Sequence, residues 1–364
     1  MKRVLFALSL VIASIPCHAD DRTGDPASPD GTRFPVRFRV NGNRIVDPSG
    51  KPQIFRGVVS MDPILQTWPG NPDEGSWNEA YYAEMAEWGA KIVRLQIHPN
   101  GWRVDKTKAM QLIDQSIKWI GKHGMYVLLD FHSIGFVPTG SFDDRGRGED
   151  QLKTTEEEMT DFWVQLAKQF VDNDVVAFYE LFNEPVIGRG RLQGTRSEIF
   201  GARVEWLKWR AMQERIVDAI REVDDHTPII CSGLDYTFDL SHVQDDPVRR
   251  DNIVYAVHIY PNRTRSKWDW YENFVKTAEL YPVFCTEWGF VADLRHRYGS
   301  FGFEIIYGHD GAFRKEIIEC LESHGISWTA WRFSVGQVGP NLLQNWSYTP
   351  TESGVFVRDQ LQAN

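Results

Sequence analysis

Residues 179–185 read Tyr-Glu-Leu-Phe-Asn-Glu-Pro, and residues 283–289 read Val-Phe-Cys-Thr-Glu-Trp-Gly. Each segment is a short, mostly apolar run that ends at a glutamate, Glu184 in the first and Glu287 in the second. Such runs are typical of buried strands. Because removing a carboxylate from water is costly, a glutamate at the end of a buried strand needs a physical reason. One of these glutamates alone would be interpreted as a solvated strand end, whereas the two together predict a shared site.

Strand-like and helix-like patterns alternate along the rest of the chain. Strands are predicted at residues 54–60, 91–97, 126–131, 175–181, 228–231, 253–259, 282–286 and 327–331. Apolar residues three and four positions apart predict helices at 106–123, 155–171, 203–223, 268–280 and 311–323. This alternation predicts an α/β fold, a single-domain (β/α)8 TIM barrel with its functional groups on the loops after the strands. An open doubly wound sheet is the alternative, but the Gly-rich phosphate loop typical of that fold is missing.

The N-terminal part of the 364-residue chain has its own organisation. Residues 1–19 contain a basic start, an apolar stretch and a small-residue site ending at Ala19, so we predict a cleaved signal peptide and a secreted or periplasmic protein. A lipoprotein anchored at Cys17 is the alternative, which the preceding proline disfavours. Polar residues 20–33 are expected to form a flexible leader. Residues 34–364 would form the barrel domain, which begins with a β-hairpin at the Asn41-Gly42 turn signal.

Composition argues against several classes of partner. The net charge of -10 and the pI near 5.5 disfavour nucleic acid and anionic membranes. No segment of the mature chain is long and apolar enough to span a bilayer, and we expect a monomer. Cys231, Cys285 and Cys320 are too few for a disulfide scaffold. Buried free thiols are expected, although a Cys231–Cys285 bond stays open.

Polar residues of particular types gather at the predicted strand ends. Two carboxylic acids, one acid and one nucleophile or base, are the minimal equipment for cleaving a glycosidic bond. A metal-dependent hydrolase using His98, His132 and His258 is a competing hypothesis, but the first strand lacks the expected His-x-His pair. A carbohydrate-binding barrel without catalysis is a third. The strand-end residues are Arg94, His98, His132, Asn183, Glu184, His258, Tyr260, Glu287 and Trp331.

The order of these residues resembles that of glycoside hydrolase family 5, a cellulase-like family of retaining (β/α)8 barrels in the two-glutamate clan. The resemblance covers nearly the whole chain, from about residue 38 to the last helix. The family pattern is Arg, His, Asn-Glu, His-x-Tyr, Glu and Trp on successive strand ends. It is matched here by Arg94, His132, Asn183-Glu184, His258-Ile259-Tyr260, Glu287 and Trp331.

The resemblance implies a role for each matched residue. Glu287 would be the nucleophile, kept ionised by Arg94 and by a hydrogen bond from Tyr260. Glu184 would be the general acid and then the general base. In a retaining enzyme the two carboxyl groups lie about 5–5.5 Å apart. The other matched residues would orient Glu184 or bind the sugar: His258 on Glu184, Asn183 at the 2-hydroxyl, His132 at the sugar before the cleaved bond and Trp331 stacked on that sugar. No metal or organic cofactor is implied.

The substrate is expected to be a β-linked polysaccharide or oligosaccharide, and the leading hypothesis is an endo-β-1,4-glucanase acting on cellulose or mixed-linkage glucan. A β-mannanase, a xyloglucanase and an exo-acting glycosidase of the same family remain alternatives. Segments 141–150, 188–196 and 293–310 are expected to wall the cleft and to decide between endo and exo action. Tryptophans in or near predicted loops are candidates for further subsites: Trp68, Trp102, Trp268, Trp270, Trp288 and Trp346. Tryptophans within helical patterns are expected to pack in the core: Trp88, Trp119, Trp163, Trp206 and Trp209.

Overall fold

The computed structural model describes residues 34–71, 73–142, 152–187, 196–261, 267–291, 312–336 and 340–363. Within these ranges, eight parallel strands close into a barrel, so the predicted (β/α)8 architecture is confirmed. The predicted signal peptide and leader lie outside the described residues. So do most of the three segments expected to wall the cleft.

Thirteen strands occur among the described residues, and eight of them form the barrel. They are β1 (Arg39–Asn41), β2 (Arg44–Val46), β3 (Arg56–Ser60), β4 (Ile92–Ile97), β5 (Tyr126–Phe131), β6 (Ile134–Phe136), β7 (Ser141–Phe142), β8 (Val176–Glu180), β9 (Glu184–Pro185), β10 (Ile229–Ser232), β11 (Ile253–Ile259), β12 (Val283–Trp288) and β13 (Ser327–Ala330). The barrel order is β3-β4-β5-β8-β10-β11-β12-β13, and β13 pairs with β3 to close it. β1 and β2 form the predicted hairpin. The strands β7, β6 and β9 form a small separate sheet.

Helices follow the barrel strands. They are α1 (Pro63–Gln66), α2 (Glu79–Glu87), α3 (Pro99–Val104), α4 (Lys106–Lys122), α5 (Glu156–Phe170), α6 (Arg196–Arg221), α7 (Leu234–Thr237), α8 (Lys267–Trp270), α9 (Lys276–Ala278), α10 (Phe313–His324) and α11 (Glu352–Gln362). A π-helix, Tyr271–Val275, joins α8 to α9. The start of α5 is fixed by Thr155, whose side chain accepts a hydrogen bond from the Glu158 amide at 3.1 Å. Gly325 ends α10 with a φ of 69°, a left-handed conformation that suits glycine.

The barrel interior changes from apolar to polar along the strands. Near the strand starts lies an apolar layer that includes Ile92, Leu128, Phe178, Ile230 and Phe284. Because side chains on one face of a strand recur every second residue, the next inward positions lie two residues further along. These positions carry buried polar side chains: Arg94, Asp130, Glu180, Ser232 and Thr286. The apolar layer therefore supports a buried polar layer directly beneath the strand ends.

A β-bulge interrupts β12 at the point where the chemistry is expected. Val257 of β11 pairs with Cys285, but the next residue, His258, pairs with Glu287, so Thr286 is the extra residue. A bulge of this kind lets two consecutive side chains turn toward the same face. Thr286 and Glu287 both contact groups inside the barrel. The strand also extends two residues beyond its predicted end at 286, so Glu287 lies within β12 rather than after it.

The cysteines bear out the expectation of free thiols. Cys231 and Cys285 are buried free thiols, and Cys320 is also free, so no Cys231–Cys285 bond is present. Among the helices of the described ranges, none combines the length and the apolar character needed to cross a bilayer.

Candidate active site

All eight predicted site residues lie at the carboxyl ends of the barrel strands or just after them. Arg94, His258 and Glu287 lie within β4, β11 and β12, and the other residues follow β5, β8, β11 and β13. Parallel strands in a barrel share one end, so residues distant in sequence meet there. Hydrogen bonds and ring contacts among these residues and Asp130, described below, bring all eight into one site.

The Glu287 carboxylate is held from two sides. Arg94 Nη1 donates to Oε1 at 2.7 Å, and the Tyr260 hydroxyl donates to Oε2 at 2.9 Å. His258 Nδ1 lies 3.6 Å from the same Oε2. Burial raises the pKa of Glu287 above its ordinary value, while the charges of His258 and Arg94 and the Tyr260 hydrogen bond oppose that rise. The two bonds also fix the direction in which each carboxylate oxygen points.

Glu184 is the more exposed of the two glutamates. Its side chain is 15% exposed, against 4% for Glu287. The small sheet positions it, because the Glu184 amide donates to the Ser133 carbonyl at 3.0 Å and β9 pairs with β6. His258 Nδ1 lies 3.0 Å from Glu184 Oε1. One ligand atom each of Glu184, His258 and Glu287 lies within 4.8 Å of the others, so the two glutamates approach each other closely.

Arg94 is the centre of the buried polar layer. Its Nε donates to Glu180 at 2.5 Å, and its Nη2 donates to Asn183 Oδ1 at 2.9 Å. Nη2 also lies 3.1 Å from Asp130 Oδ2. Burial would lower the pKa of Arg94, but Asp130, Glu180 and Glu287 outweigh it and raise that pKa above its ordinary value. The guanidinium is therefore a permanent positive charge shared among the acidic groups.

His258 also gains charge from its neighbours. Burial alone would lower its pKa, but Glu287, Glu180 and Glu184 outweigh burial and raise the pKa of His258 to about 9. Its two ring nitrogens face different partners, Nδ1 toward Glu184 and Nε2 toward the Thr286 hydroxyl at 3.0 Å. The imidazole thus connects the more exposed glutamate with the buried layer.

A pair of aromatic rings, His132 and Trp331, adjoins the buried polar layer through Asp130. The rings of His132 and Trp331 are stacked, with centroids 5.6 Å apart and planes inclined by 19°. Asp130 Oδ2 lies 2.7 Å from His132 Nδ1 and holds the imidazole in place. Arg332 lies over the Trp331 ring at 5.4 Å. Trp331 is only partly buried, so its ring can offer a face to a sugar.

The structure adds three buried residues that the sequence reasoning did not assign to the site: Asp130, Glu180 and Thr286. Each contacts a predicted site residue. Two of them had a readable signal, because Asp130 and Glu180 are charged residues inside strands that are otherwise apolar. Thr286 had none, because a threonine at an inward strand position is not unusual; the bulge is what brings Glu287 to the same face.

Several tryptophans proposed as subsite candidates belong to the core. Trp102, Trp270 and Trp288 are buried in the apolar core. Trp68 and Trp268 remain exposed, and Trp346 is partly buried. The tryptophans expected to pack do so: Trp88, Trp119, Trp163, Trp206 and Trp209.

The three histidines of the competing metal hypothesis do not form one cluster in the described part of the chain. The rings of His98 and His132 are in contact, with centroids 4.8 Å apart. His98 pairs with Asp62 at 2.9 Å, whereas His258 contacts Glu184 and Thr286. These contacts disfavour a three-histidine metal site.

The family model described as cellulase (glycosyl hydrolase family 5) matches residues 46–337. The chain belongs to this family. It is therefore a glycoside hydrolase, as the residues at the predicted strand ends indicated.

Among curated relatives, endoglucanase E-5 of Thermobifida fusca is 26% identical over 362 residues, which cover 93% of this chain and 67% of that relative. Cellulase CelDZ1 of a Thermoanaerobacterium species is 25% identical, covering 89% of this chain and 77% of that relative. The family 5 chain thus spans about two thirds to three quarters of the length of these relatives.

Solved structures of similar proteins share the barrel. A β-glucanase from Saccharophagus degradans, also solved in complex with cellotetraose, has a TM-score of 0.78 and 28% identity. The match covers 90% of this chain and 93% of that one. The catalytic domain of a Thermobifida fusca endoglucanase has a TM-score of 0.67 at 22% identity, covering 90% of this chain and 97% of that one. The second likeness supports the fold alone.

Proposed function

We propose that this family 5 hydrolase is an endo-β-1,4-glucanase that cleaves glucan chains with retention of anomeric configuration. The observation that carries the proposal is the geometry of Glu184 and Glu287, which each place a carboxylate oxygen near His258 Nδ1 and within 4.8 Å of one another. This close approach suits a nucleophile and an acid/base acting on the same bond, as in retaining glycosidases. The similarity to endoglucanases and to a glucanase that binds cellotetraose supports the substrate class.

Glu287 acts as the nucleophile in the first step. Its ionised oxygen attacks the anomeric carbon while the bond to the leaving oxygen breaks. The Arg94 charge favours the ionised form that this attack requires, and Tyr260 holds the second oxygen so that the first is aimed. The product of this step is a glycosyl ester on Glu287.

Glu184 acts as the acid in the first step and as the base in the second. It gives its proton to the leaving oxygen and then takes one from the water that attacks the anomeric carbon, which releases Glu287. Its partial exposure suits both roles, since it must reach the leaving group and then water. The two steps balance with one water consumed and both glutamates restored.

The remaining site residues bind the sugar next to the cleaved bond. Asn183 Oδ1 is occupied by Arg94, so its amide NH2 group is the part that meets the sugar 2-hydroxyl. Trp331 offers an aromatic face for the C–H surface of the pyranose, and His132 lies beside it. In this class of enzyme, distortion of the sugar and hydrogen bonds to its 2-hydroxyl that strengthen in the transition state together contribute several kcal/mol.

Product analysis on separate polymers tests the proposal. The enzyme is incubated with barley β-glucan, carboxymethyl cellulose, glucomannan, galactomannan and xyloglucan, with a Glu287→Ala variant as the inactive control. We expect mixed oligosaccharides from the glucans and none from the variant. Release of monosaccharide alone would indicate exo action, and attack confined to galactomannan or xyloglucan would indicate a different specificity. Products from the variant would refute the assignment of the nucleophile.

Secretion and oligomeric state complete the proposal. A basic start, an apolar stretch and a small-residue site after Ala19 support cleavage there and export to the periplasm or the medium. Polysaccharide chains are too large to enter a cell, which agrees with export. The mature enzyme is proposed to act as a monomer. Mass spectrometry of the exported N-terminus and light scattering of the purified enzyme test these two points.

A further inference from the structure

Every second residue of β4 carries a polar side chain toward the site, and the last of these side chains is partly exposed. Side chains on one face of a strand recur every second residue, and Arg94, Gln96 and His98 follow that spacing. Arg94 and Gln96 are buried, whereas the side chain of His98, directly after the strand, is 13% exposed. Gln96 Nε2 lies 3.2 Å from His132 Nε2, and the ring of His98 contacts the same imidazole. The row therefore leads from the buried polar layer to an accessible imidazole.

Asp62, which follows β3, fixes the orientation of the His98 ring. The Asp62 side chain is fully buried, and its Oδ2 accepts a hydrogen bond from the His98 amide at 2.8 Å and lies 2.9 Å from His98 Nδ1. Its Oδ1 accepts from the Ile64 amide at 2.8 Å, so both ends of the carboxylate are held. Because a carboxylate only accepts hydrogen bonds, Nδ1 carries the proton of this pair.

The second ring nitrogen of His98, Nε2, is left for a ligand. None of the residues that the structure describes forms a hydrogen bond or an ion pair with it. It is not a buried atom without a partner either, so it is open to solvent. A neutral ring would accept a hydrogen bond at Nε2, and a charged ring would donate one. A hydroxyl group both donates and accepts, and it therefore fits Nε2 in either state.

His98 belongs to a continuous row of three rings that also includes His132 and Trp331. The Trp331 and His132 rings are stacked with centroids 5.6 Å apart, and the His98 ring meets His132 edge-on with centroids 4.8 Å apart and planes inclined by 64°. His132 is buried, whereas the outer members, Trp331 and His98, are partly exposed. The strands that they follow, β13 and β4, are separated in the barrel by β3 alone. A pyranose stacked on Trp331 thus has the hydroxyls of one edge directed toward His132 and His98.

We propose that His98 is a substrate-binding residue whose Nε2, held in place through Asp62, hydrogen-bonds a hydroxyl of the glucose unit stacked on Trp331. This inference rests on the proposed function, which places that glucose directly before the cleaved bond. Its 2-hydroxyl is assigned to Asn183, and its 4-oxygen is part of the bond to the preceding glucose. The 3-hydroxyl and the 6-hydroxyl stay free along a β-1,4-glucan, and one of these two is the partner of His98.

The test combines substrates that lack one hydroxyl with variants that lack the ring nitrogen. The substrates are 4-nitrophenyl β-cellobioside and its analogues without the 3-hydroxyl or the 6-hydroxyl on the glucose next to the nitrophenyl group. His98→Phe keeps a ring against His132 but has no nitrogen, and His98→Gln places an amide nitrogen about where Nε2 lies. Both variants lose the Nδ1 contact with Asp62, so the difference between them reports on Nε2.

The expected pattern is a coupling between His98 and one hydroxyl. In the wild type, removing that hydroxyl should lower kcat/KM about five- to tenfold, as the loss of one hydrogen bond does. His98→Phe should lower kcat/KM for the parent cellobioside by a similar factor and should then be insensitive to the same hydroxyl. His98→Gln should retain most of the wild-type kcat/KM and the sensitivity to that hydroxyl.

The same measurements separate a binding role from a structural one. If each deoxy substrate loses as much in His98→Phe as in the wild type, His98 binds neither hydroxyl and the inference is wrong. Equal losses in His98→Phe and His98→Gln would also overturn it, because they would assign the effect to the lost Asp62 contact. If His98→Phe does not fold, His98→Ala takes its place in the comparison. A wild-type enzyme that fails to hydrolyse the parent cellobioside would refute the proposed function, and the inference with it.

Discussion

At the residue scale, the two glutamates differ in their surroundings, and these differences suit their two proposed roles. Glu287 is enclosed by Arg94 and Tyr260, whereas Glu184 contacts His258 and is partly exposed. A nucleophile benefits from a fixed orientation and a nearby positive charge, and an acid/base needs access to the leaving group and then to water. The same residue type therefore serves two functions because the barrel gives each copy different neighbours.

Glu184→Ala provides the first prediction at this scale. Removing the general acid should reduce kcat/KM on a natural cello-oligosaccharide by about 10²–10⁴-fold. The loss in the glycosyl-transfer step should be much smaller for a dinitrophenyl cellobioside, because its leaving group departs without a proton. Pre-steady-state release of dinitrophenol measures that step directly. Equal losses for both substrates would show that Glu184 is not the acid.

His258 gives a prediction for stability as a function of pH. Burial lowers its pKa, but the surrounding carboxylates raise it from the ordinary 6.5 to about 9 in the folded protein. Because the folded-state pKa is the higher one, the charged imidazole stabilises the fold fully below pH 6.5. This contribution, about 3 kcal/mol, is lost as the pH rises through about 9. Urea unfolding of the wild type and of His258→Gln at several pH values checks this, and parallel pH profiles for the two proteins would contradict it.

At the element scale, Glu180 links strands that are far apart in sequence. It lies on β8 and bonds to Arg94 on β4 and to Thr286 on β12. Glu180→Gln should reduce the free energy of unfolding by about 3–5 kcal/mol, since it leaves the buried Arg94 without one of its charge partners. Chemical denaturation measures this loss.

Glu156→Gln is a matched control for the Glu180 variant. Glu156 also pairs with an arginine, Arg215, at 2.5 Å, but both side chains are exposed. An exposed ion pair contributes about 1 kcal/mol or less. If the two variants were destabilised equally, the buried layer would not hold the strands in the way described.

The helix α8 carries a second prediction at the element scale. Trp268 in its first turn is 66% exposed and lies 5.7 Å from the Tyr271 ring. The first turn of a helix that follows a barrel strand lies on the side of the active site. We expect Trp268→Ala to raise KM for barley β-glucan about five- to tenfold, in line with the roughly 1–1.5 kcal/mol of an aromatic contact, and to leave KM for an aryl cellobioside unchanged. Val104→Ala, at an exposed apolar position on α3, is the control. An unchanged KM for the polymer would remove Trp268 from the cleft.

At the scale of the whole molecule, the sequence predicted the barrel because each strand is a buried run with a clear boundary. The meeting of the eight predicted residues at one end of the barrel was equally predictable, since residues that follow parallel strands share that end. Glu180 and Asp130 could not be assigned to the site in the same way, because their role depends on which strands are neighbours in the closed barrel. The inward position of Glu287 beside Thr286 depends on a single extra residue in β12, which no periodic pattern indicates.

Exposure was the other property that the sequence predicted only in part. Trp102 and Trp288 lie near the predicted strand ends, yet both are buried in the core. Whether a large ring near a strand end is buried depends on which helices and strands pack around it. A sequence pattern does not give that packing. The residues at the strand ends were easier to place than the aromatic residues around them.

The central claim is that Glu287 forms a covalent bond with the sugar, and mass spectrometry tests it directly. A 2-deoxy-2-fluoro-β-cellobioside with a dinitrophenyl leaving group forms the glycosyl ester readily but hydrolyses it slowly, because fluorine destabilises the oxocarbenium-like transition state. After incubation and digestion, we expect the added mass on the peptide that contains Glu287 and on no other. The same adduct on Glu184 or on any other residue would contradict the account.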